Sequence, residues 1–393
     1  MKSILIMCAA DPETDPRPNR MINYLKDRYS LTVLAGNKTR TMGVESIDIP
    51  SLKLPSHIWN KTLLLLLGLL LVHVRLRSLA YPLWSYLRVP VTKLADSPEL
   101  KAKLQRAFDL VISHDLSMLP LAFVIGKNSK VLLDAREFYP KLYEDRLRWR
   151  LIRQPINRYL CAEFLPRCDK VITISDGIAD EYFKEFGIRP DVVMSYPAYH
   201  DLTPSPMKQG RIRMIHHGIV SASRRPEQMI EMMDHVDERF SLDLMLMSER
   251  SAYYDKLVTM SNARKNVRII PPVPMKQVIP FTNSYDIGLF LCRPSTFNLK
   301  FALPNKLFEF IQARLAVAIG PSIEMRRIVE KYDCGVVAPD FEPQSLAEAL
   351  NALTLEKVAY YKERANVAAS ELNVDANAQK VRAMISDLVG NDQ

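Results

Sequence analysis

Short apolar runs alternate with helical patterns in two successive series along this 393-residue chain, and that alternation narrows the fold to parallel α/β sheets. The first series opens with Ile4–Cys8, then a loop, a helical pattern around Arg20–Arg28 and the run Leu31–Ala35. It continues through Leu110–Ser113, Val131–Leu133 and Val171–Ile174, each followed by a polar loop. The second series runs through Ile212–His216, Leu242–Met247, Val267–Ile270, Ile287–Leu291 and Ala316–Ile319, and ends at Gly335–Val337. Between them, Ser195–Lys208 holds Pro197, Pro204 and Pro206 and reads as an interdomain linker. The chain is too long for one ordinary core, so two domains of about 150–200 residues are expected. The architecture expected is α/β, two doubly wound domains facing each other across a cleft. Their spans are 1–203 and 204–375, with 376–393 a helix returning to the first. Open sheets of this kind bind ligands at the carboxyl ends of their strands.

Apolar residues at 48% and charged residues at 25% give the balance of a globular protein and leave no room for a disordered chain. The net charge of +9 suits phosphorylated small molecules and anionic membranes as well as nucleic acid. There is no zinc spacing, no aromatic–basic RNA-binding strand and no helix-turn-helix pattern, so nucleic acid is not expected as a partner. Five scattered cysteines (Cys8, Cys161, Cys168, Cys292, Cys334) give neither a disulfide framework nor a CxxC site, and suit a reducing, cytoplasmic setting. The apolar start at Ser3–Ala10 is short and meets Asp11, Glu13 and Asp15 at once, so it reads as a first buried strand rather than a secretory leader.

One segment breaks the pattern. Ser51–Ala95 has no acidic residue, yet carries Lys53, Lys61, Arg75, Arg77, Arg88 and Lys93. Inside it, Leu63–Val74 is apolar except for His73, and Trp84 and Tyr86 follow. Such a run spans about 18 Å as helix, short of the roughly 30 Å hydrocarbon core. It fits a segment lying in the interface beside anionic lipid, on the inner face of the plasma membrane. A helix buried between domains or against a sheet is the other reading.

The chemistry concentrates in the second series. In Leu303-Pro304-Asn305-Lys306-Leu307-Phe308-Glu309, Pro304 suits the first turn of a helix. Asn305, Lys306 and Glu309 then share a face. Free N–H groups at the helix start and the ammonium suit a diphosphate, and the carboxylate suits a ribose diol. An ordinary Lys–Glu pair on a surface helix has the same spacing. Ser322 follows the strand Ala316–Ile319, at the end where a ligand would lie. A second anion site is readable at Gly218, where the backbone can approach a ligand closely, with Ser221, Ser223, Arg224 and Arg225 before Pro226 and the helix Glu227–Met233. Two arginines at a helix start also suit a solvated face. His216 and His217 are strand neighbours pointing to opposite faces, so they do not form a metal pair.

These stretches resemble the retaining group 1 glycosyltransferases, the family 4-like group with the GT-B fold of two Rossmann-like domains. Pro304–Glu309, continuing through Ala313-Arg314-Leu315-Ala316-Val317-Ala318, is similar to their sugar-nucleotide signature. Val171–Ala179, Asp134-Ala135-Arg136-Glu137-Phe138, Gly218 with Arg224, and Asp333-Cys334-Gly335-Val336-Val337 are similar to further motifs in the same order. The resemblance covers most of the chain apart from roughly 38–103. It implies that Arg224 and Lys306 neutralise a departing diphosphate and that Glu309 binds the ribose. Gly218, Arg225, Asn305 and Ser322 complete the donor site, and no metal or cofactor is called for. It also implies same-face attack with retention, the departing phosphate assisting deprotonation of the acceptor. Arg136 and Glu137 occupy the position of the family's histidine–glutamate segment, and Phe301 stands where a first glutamate is usual. Arg136 cannot act as a base, but it can bind a sugar hydroxyl, an acidic sugar or an acceptor phosphate. Asp15, Arg17, His114 and Asp115 are acceptor-side candidates, although Asp15 also suits a helix cap and His114-Asp115 a capping loop.

The function expected is transfer of a sugar from a nucleotide-sugar donor, UDP-linked by preference, to a lipid-linked or membrane-borne glycan acceptor in surface polysaccharide, lipopolysaccharide or glycolipid assembly. Two other readings share the fold: a nucleotide-sugar epimerase, and a non-catalytic scaffold at a membrane.

Overall fold

The computed structural model describes residues 1–9, 11–36, 39–49, 66, 70, 98–104, 106–208, 210–248 and 251–390. Most of the leucine-rich, cation-flanked segment 51–95 therefore lies outside the described residues. Only Leu66 and Leu70 of it are described, both helical and 57% and 58% exposed. The chain divides into two compact units, Met1–Val193 with Ala378–Gln393, and Met194–Asn377.

The first unit is built on the strands β1 (Ser3–Cys8), β2 (Ser30–Ala35), β3 (Glu45–Asp48), β4 (Leu110–His114), β5 (Lys130–Asp134), β6 (Lys170–Thr173) and β7 (Asp191–Val192). They form a parallel sheet in the order β3-β2-β1-β4-β5-β6-β7. The order reverses between β1 and β4, so Cys8 and His114, which pair in register, mark the point where the chain diverges to both sides. The two edge strands β3 (Glu45–Asp48) and β7 (Asp191–Val192) are short and begin or end on charged residues, so they form no apolar run and the periodicity of the sequence misses both. The helix Pro16–Leu25 begins earlier than the pattern at Arg20 suggests. Asp15 caps it by accepting from the Arg17 N–H, and its prolines occupy the first turn, where a missing N–H costs nothing.

The second unit is built on β8 (Ile212–Ile219), β9 (Phe240–Met247), β10 (Val267–Ile270), β11 (Ile287–Phe290), β12 (Ala316–Ile319) and β13 (Gly335–Val337), in the order β10-β9-β8-β11-β12-β13, all parallel. Helices cover both faces. Ala316 and Ala318 of β12 join one hydrophobic cluster with Met214 and Leu244, while Val317 and Ile319 join the other with Ile215 and Phe310. Burial on both faces explains why these strands read as unbroken apolar runs.

The proline-bearing stretch 195–208 is tied to the second unit rather than slack. The buried Arg314 guanidinium donates to the His200 carbonyl at 2.7 Å, Gln312 accepts from the His200 N–H at 3.1 Å, and Lys362 donates to Ser205 at 2.9 Å. Among the described residues no helix is long and apolar enough to cross a membrane.

Candidate functional site

The second unit places its polar groups at the carboxyl end of β8, beside the switch in strand order. Gly218 has φ +141°, and a Cβ built there would lie 3.0 Å from the Lys306 amine. Glycine thus suits the backbone conformation, which strains any other residue, and a Cβ would in addition crowd the lysine amine. After β8, Ser221 and Ser223 hydrogen-bond at 2.8 Å, a single tight turn covers Ala222–Arg224, and Arg225 takes φ 46° before the helix Glu227–Met232. Arg224 and Arg225 are both exposed.

The helix Asn305–Gln312 brings the other half. Pro304 is its N-cap, with ψ 146°, one residue outside the first turn that the sequence suggests. Leu307, Phe308, Phe310 and Ile311 anchor it in the core. Lys306 is only 7% exposed, which rules out a surface Lys–Glu pair. Burial, and then the nearby Arg224 charge, lower its pKa to about 7, against the pull of Glu309. The amine lies 4.6 Å over the Phe290 ring and 3.3 Å from His216 Nε2. One turn on, Glu309 lies 3.6 Å from His217 Nε2, and His217 packs edge-on against Phe310 at 5.1 Å. Burial and then Lys306 lower the pKa of His217 to about 3, so this imidazole is neutral.

Asn305 opens the helix beside Lys306. Ser322 precedes the helix Ile323–Tyr332 after β12; its hydroxyl is buried with no hydrogen-bond partner among the described residues. Phe301 packs on Phe297 at 4.8 Å. The result is a glycine turn with two cations, a carboxylate one turn away and an unsatisfied hydroxyl at a neighbouring strand end. Such a set can hold an extended anion and accept from a diol. The sequence raises His216 and His217 only as a metal pair, which strand geometry excludes; their adjacency to Gly218 was the signal for a place beside Lys306 and Glu309.

In the first unit, the sequence candidates separate into two tiers at the ends of β1, β4 and β5. The inner tier is closed. Arg17 is 8% exposed, its Nε lies 2.8 and 2.7 Å from the two Asp134 oxygens, and its Nη1 donates to the Val193 carbonyl at 2.8 Å. His114 ends β4, fully buried, 3.0 Å from Asp134. Burial opposes ionisation of Asp134, but Arg17 and His114 overcome it and hold the carboxyl well below its ordinary range. Arg17 and His114 therefore face inward as a buried charge pair and its neighbour, not outward to an acceptor. The outer tier is partly exposed. Arg136 bridges Asp15 at 2.5 Å and Asp115 at 2.7 Å, and Asp115 accepts from the Tyr139 hydroxyl at 2.6 Å. Two carboxylates already answer the guanidinium, which leaves the cluster net negative and disfavours an acceptor phosphate at Arg136. Asp115 has φ 77°, a conformation costly for a non-glycine residue, and it does not cap the following helix. Glu137 is half-buried, and its carbonyl accepts from the Tyr182 hydroxyl at 2.8 Å. Tyr139, which no sequence pattern marks, completes this tier.

No protein-family model matches the chain, and no curated protein matches it. Solved structures similar in fold include the following three. HepE from Anabaena, in complex with UDP and glucose, is 14% identical with a TM-score of 0.69, over 98% of this chain and 100% of that one. The sucrose-phosphate synthase of Thermosynechococcus elongatus is 13% identical with a TM-score of 0.69, over 99% of each chain. The E. coli trehalose-6-phosphate structure bound with UDP-2-fluoro glucose is 12% identical with a TM-score of 0.68, over 100% of each. At these identities the likeness establishes the fold, and this chain has the GT-B fold.

Proposed function

We propose that this chain is a retaining glycosyltransferase that takes a nucleoside-diphosphate sugar, UDP-linked by preference, in its second unit. The observation that carries the reading is the buried Lys306 amine at the Gly218 turn, beside Arg224 and one turn from Glu309. A desolvated cation in an apolar pocket is costly unless an anion answers it. Arg224 and Lys306 would stabilise the charge that develops on the departing diphosphate, the kind of interaction that usually contributes most to catalysis. Glu309 would accept from the ribose hydroxyls. The C1–oxygen bond to the diphosphate breaks as an acceptor hydroxyl attacks on the same face, and its proton passes to the departing phosphate. Similarity in fold to structures containing UDP and glucose supports a UDP-sugar and a hexosyl group. Acceptor recognition is assigned to Asp15, Asp115 and Arg136 of the first unit, with Glu137 beside them.

The acceptor class proposed is a lipid-linked or membrane-borne glycan, with the protein at the cytoplasmic face of the membrane. Supporting this, the acid-free segment 51–95 carries six cations, and the described Leu66 and Leu70 are exposed one turn apart. Leu147 and Leu151 are also exposed, among Arg146, Arg148 and Arg150. Vesicles of anionic lipid should sediment the protein at low salt, whereas neutral vesicles should leave it in solution.

The donor reading is tested by thermal shift against UDP, GDP, ADP and CMP, since ligand binding to the native state raises the melting temperature. UDP should stabilise the wild type, and Lys306→Ala and Glu309→Ala should each lose that shift while remaining folded. A well-folded wild type indifferent to every nucleotide would instead favour a non-catalytic scaffold.

A further inference from the structure

We propose that His216 is a positioning residue, whose Nε2 accepts from the Lys306 amine and holds it at the Gly218 turn where the donor anion would bind. The inference rests on the donor site proposed above and adds a residue to it.

The tautomer follows from the partners. His216 Nδ1 lies 2.9 Å from the Leu289 carbonyl oxygen. A carbonyl only accepts, so Nδ1 carries the proton and a neutral ring presents a lone pair at Nε2. That nitrogen is 3.3 Å from Lys306 Nζ. The lysine is the donor whether it is an ammonium or a neutral amine. A protonated imidazole would put two donors face to face; burial, and then Lys306 itself, hold the His216 pKa well below its ordinary value. The ring is fixed by stacking parallel on Phe290, at 5.9 Å between centroids and 7° between planes, and the Lys306 amine lies 4.6 Å from the centroid of that same ring. The lysine is therefore held by the His216 acceptor and the Phe290 ring, in the room that Gly218 leaves.

The charged and titratable groups facing Lys306 are Arg224 from the loop after β8, Cys292 after β11, His216 and His217 from β8, and Glu309 from its own helix. Glu309 is the one carboxylate among them. With its pKa lowered to about 7, Lys306 loses its proton in the free protein near neutrality. A diphosphate selects the ammonium form, so binding takes up a proton. Affinity should be highest below about pH 7 and fall as the pH rises through that value. An acceptor at Nε2 favours the ammonium, so removing it should start that fall at lower pH.

Two amide variants separate position from chemistry. In His216→Asn the amide can still donate to the Leu289 carbonyl, but no atom reaches the place of Nε2. In His216→Gln the amide oxygen reaches it. UDP binding is measured calorimetrically from about pH 5.5 to about pH 9, so that both the plateau and the fall are covered, with ligand-free melting temperatures as the control for folding. His216→Asn should weaken UDP about tenfold or more near pH 7.5 and shift the profile to lower pH, because hydrogen bonds to charged groups contribute more than neutral ones. His216→Gln should stay within about threefold of the wild type. The proposal is overturned if His216→Asn binds UDP with the wild-type affinity and profile while Lys306→Ala has lost it. A wild type that binds no nucleotide removes the donor reading itself, and this inference with it. Should His216→Asn not fold, nitrogen NMR of the wild-type imidazole decides: a proton on Nδ1 with a bare Nε2 that responds to UDP supports the role, and a proton on Nε2 overturns it.

Discussion

At the scale of the residue, Lys306 shows binding machinery held against stability. Its folded-state pKa of about 7 lies below the ordinary 10.5, so the unfolded chain binds more protons than the native state between those values. Stability contributed at this position is present at high pH and is lost as the pH falls through about 7. Lys306→Met should therefore raise the melting temperature most near pH 6, where it removes a buried cation. The gain should be about 1–3 kcal/mol there and should shrink towards pH 9, where the lysine is already neutral. Melting curves of both proteins across that range check it, and a gain independent of pH would contradict the burial argument. The same variant should abolish the UDP-induced shift. Arg136 shows the converse arrangement, a guanidinium whose charge is satisfied before any ligand arrives.

At the scale of the element, the helix Asn305–Gln312 can carry Lys306 to the end of β8 because it lies close on the sheet. Gly288 in β11 makes that approach possible: a Cβ there would fall 2.3 Å from Phe310 Cγ, well inside contact distance. Gly288→Ala should force the Phe310 ring, and with it the helix, away from the strand. The expected cost is about 1–3 kcal/mol from overpacking, together with weakened UDP affinity through displacement of Lys306 and Glu309. Chemical denaturation and UDP titration of the variant test both. Unchanged UDP binding in a destabilised Gly288→Ala protein would mean that the helix position does not govern the site.

At the scale of the whole molecule, each unit encloses its own buried charged pair. Arg17–Asp134 holds the helix Pro16–Leu25 to β5 in the first unit, and Lys362–Asp286, at 3.4 Å and almost fully buried, holds the helix Leu355–Glu371 to the residue that leads into β11 in the second. Removing one partner of such a pair leaves an uncompensated buried charge and costs about 3–5 kcal/mol. Trp59, Trp84 and Trp149 all fall within the first unit's span. Tryptophan fluorescence should therefore follow the first unit alone, while far-ultraviolet circular dichroism follows both. Arg17→Met should lower the denaturant midpoint seen by fluorescence and leave the second part of the dichroism transition in place. Lys362→Met should do the reverse. Coincident shifts by both probes in both variants would mean that the units unfold as one.

The amino-acid sequence by itself determined the two sheets, because strands buried on both faces must be apolar throughout, and runs such as Ile4–Cys8 and Ala316–Ile319 carry that requirement in their composition. It also marked Gly218, Arg224, Lys306 and Glu309, since helix spacing and a glycine before basic residues are local patterns. Tertiary structure decided what local patterns cannot encode. Whether Lys306 is exposed or buried depends on Phe290 and His216, which are far from it in sequence. Whether Arg17 and Arg136 are free cations depends on Asp134, Asp15 and Asp115, gathered from other loops of the sheet. The edge strands β3 and β7 escaped notice for a related reason: each is too short and too polar to leave an apolar run, and only its pairing with β2 or β6 defines it. Periodicity records which faces are buried; the charge state of a buried group is set by what the fold places against it.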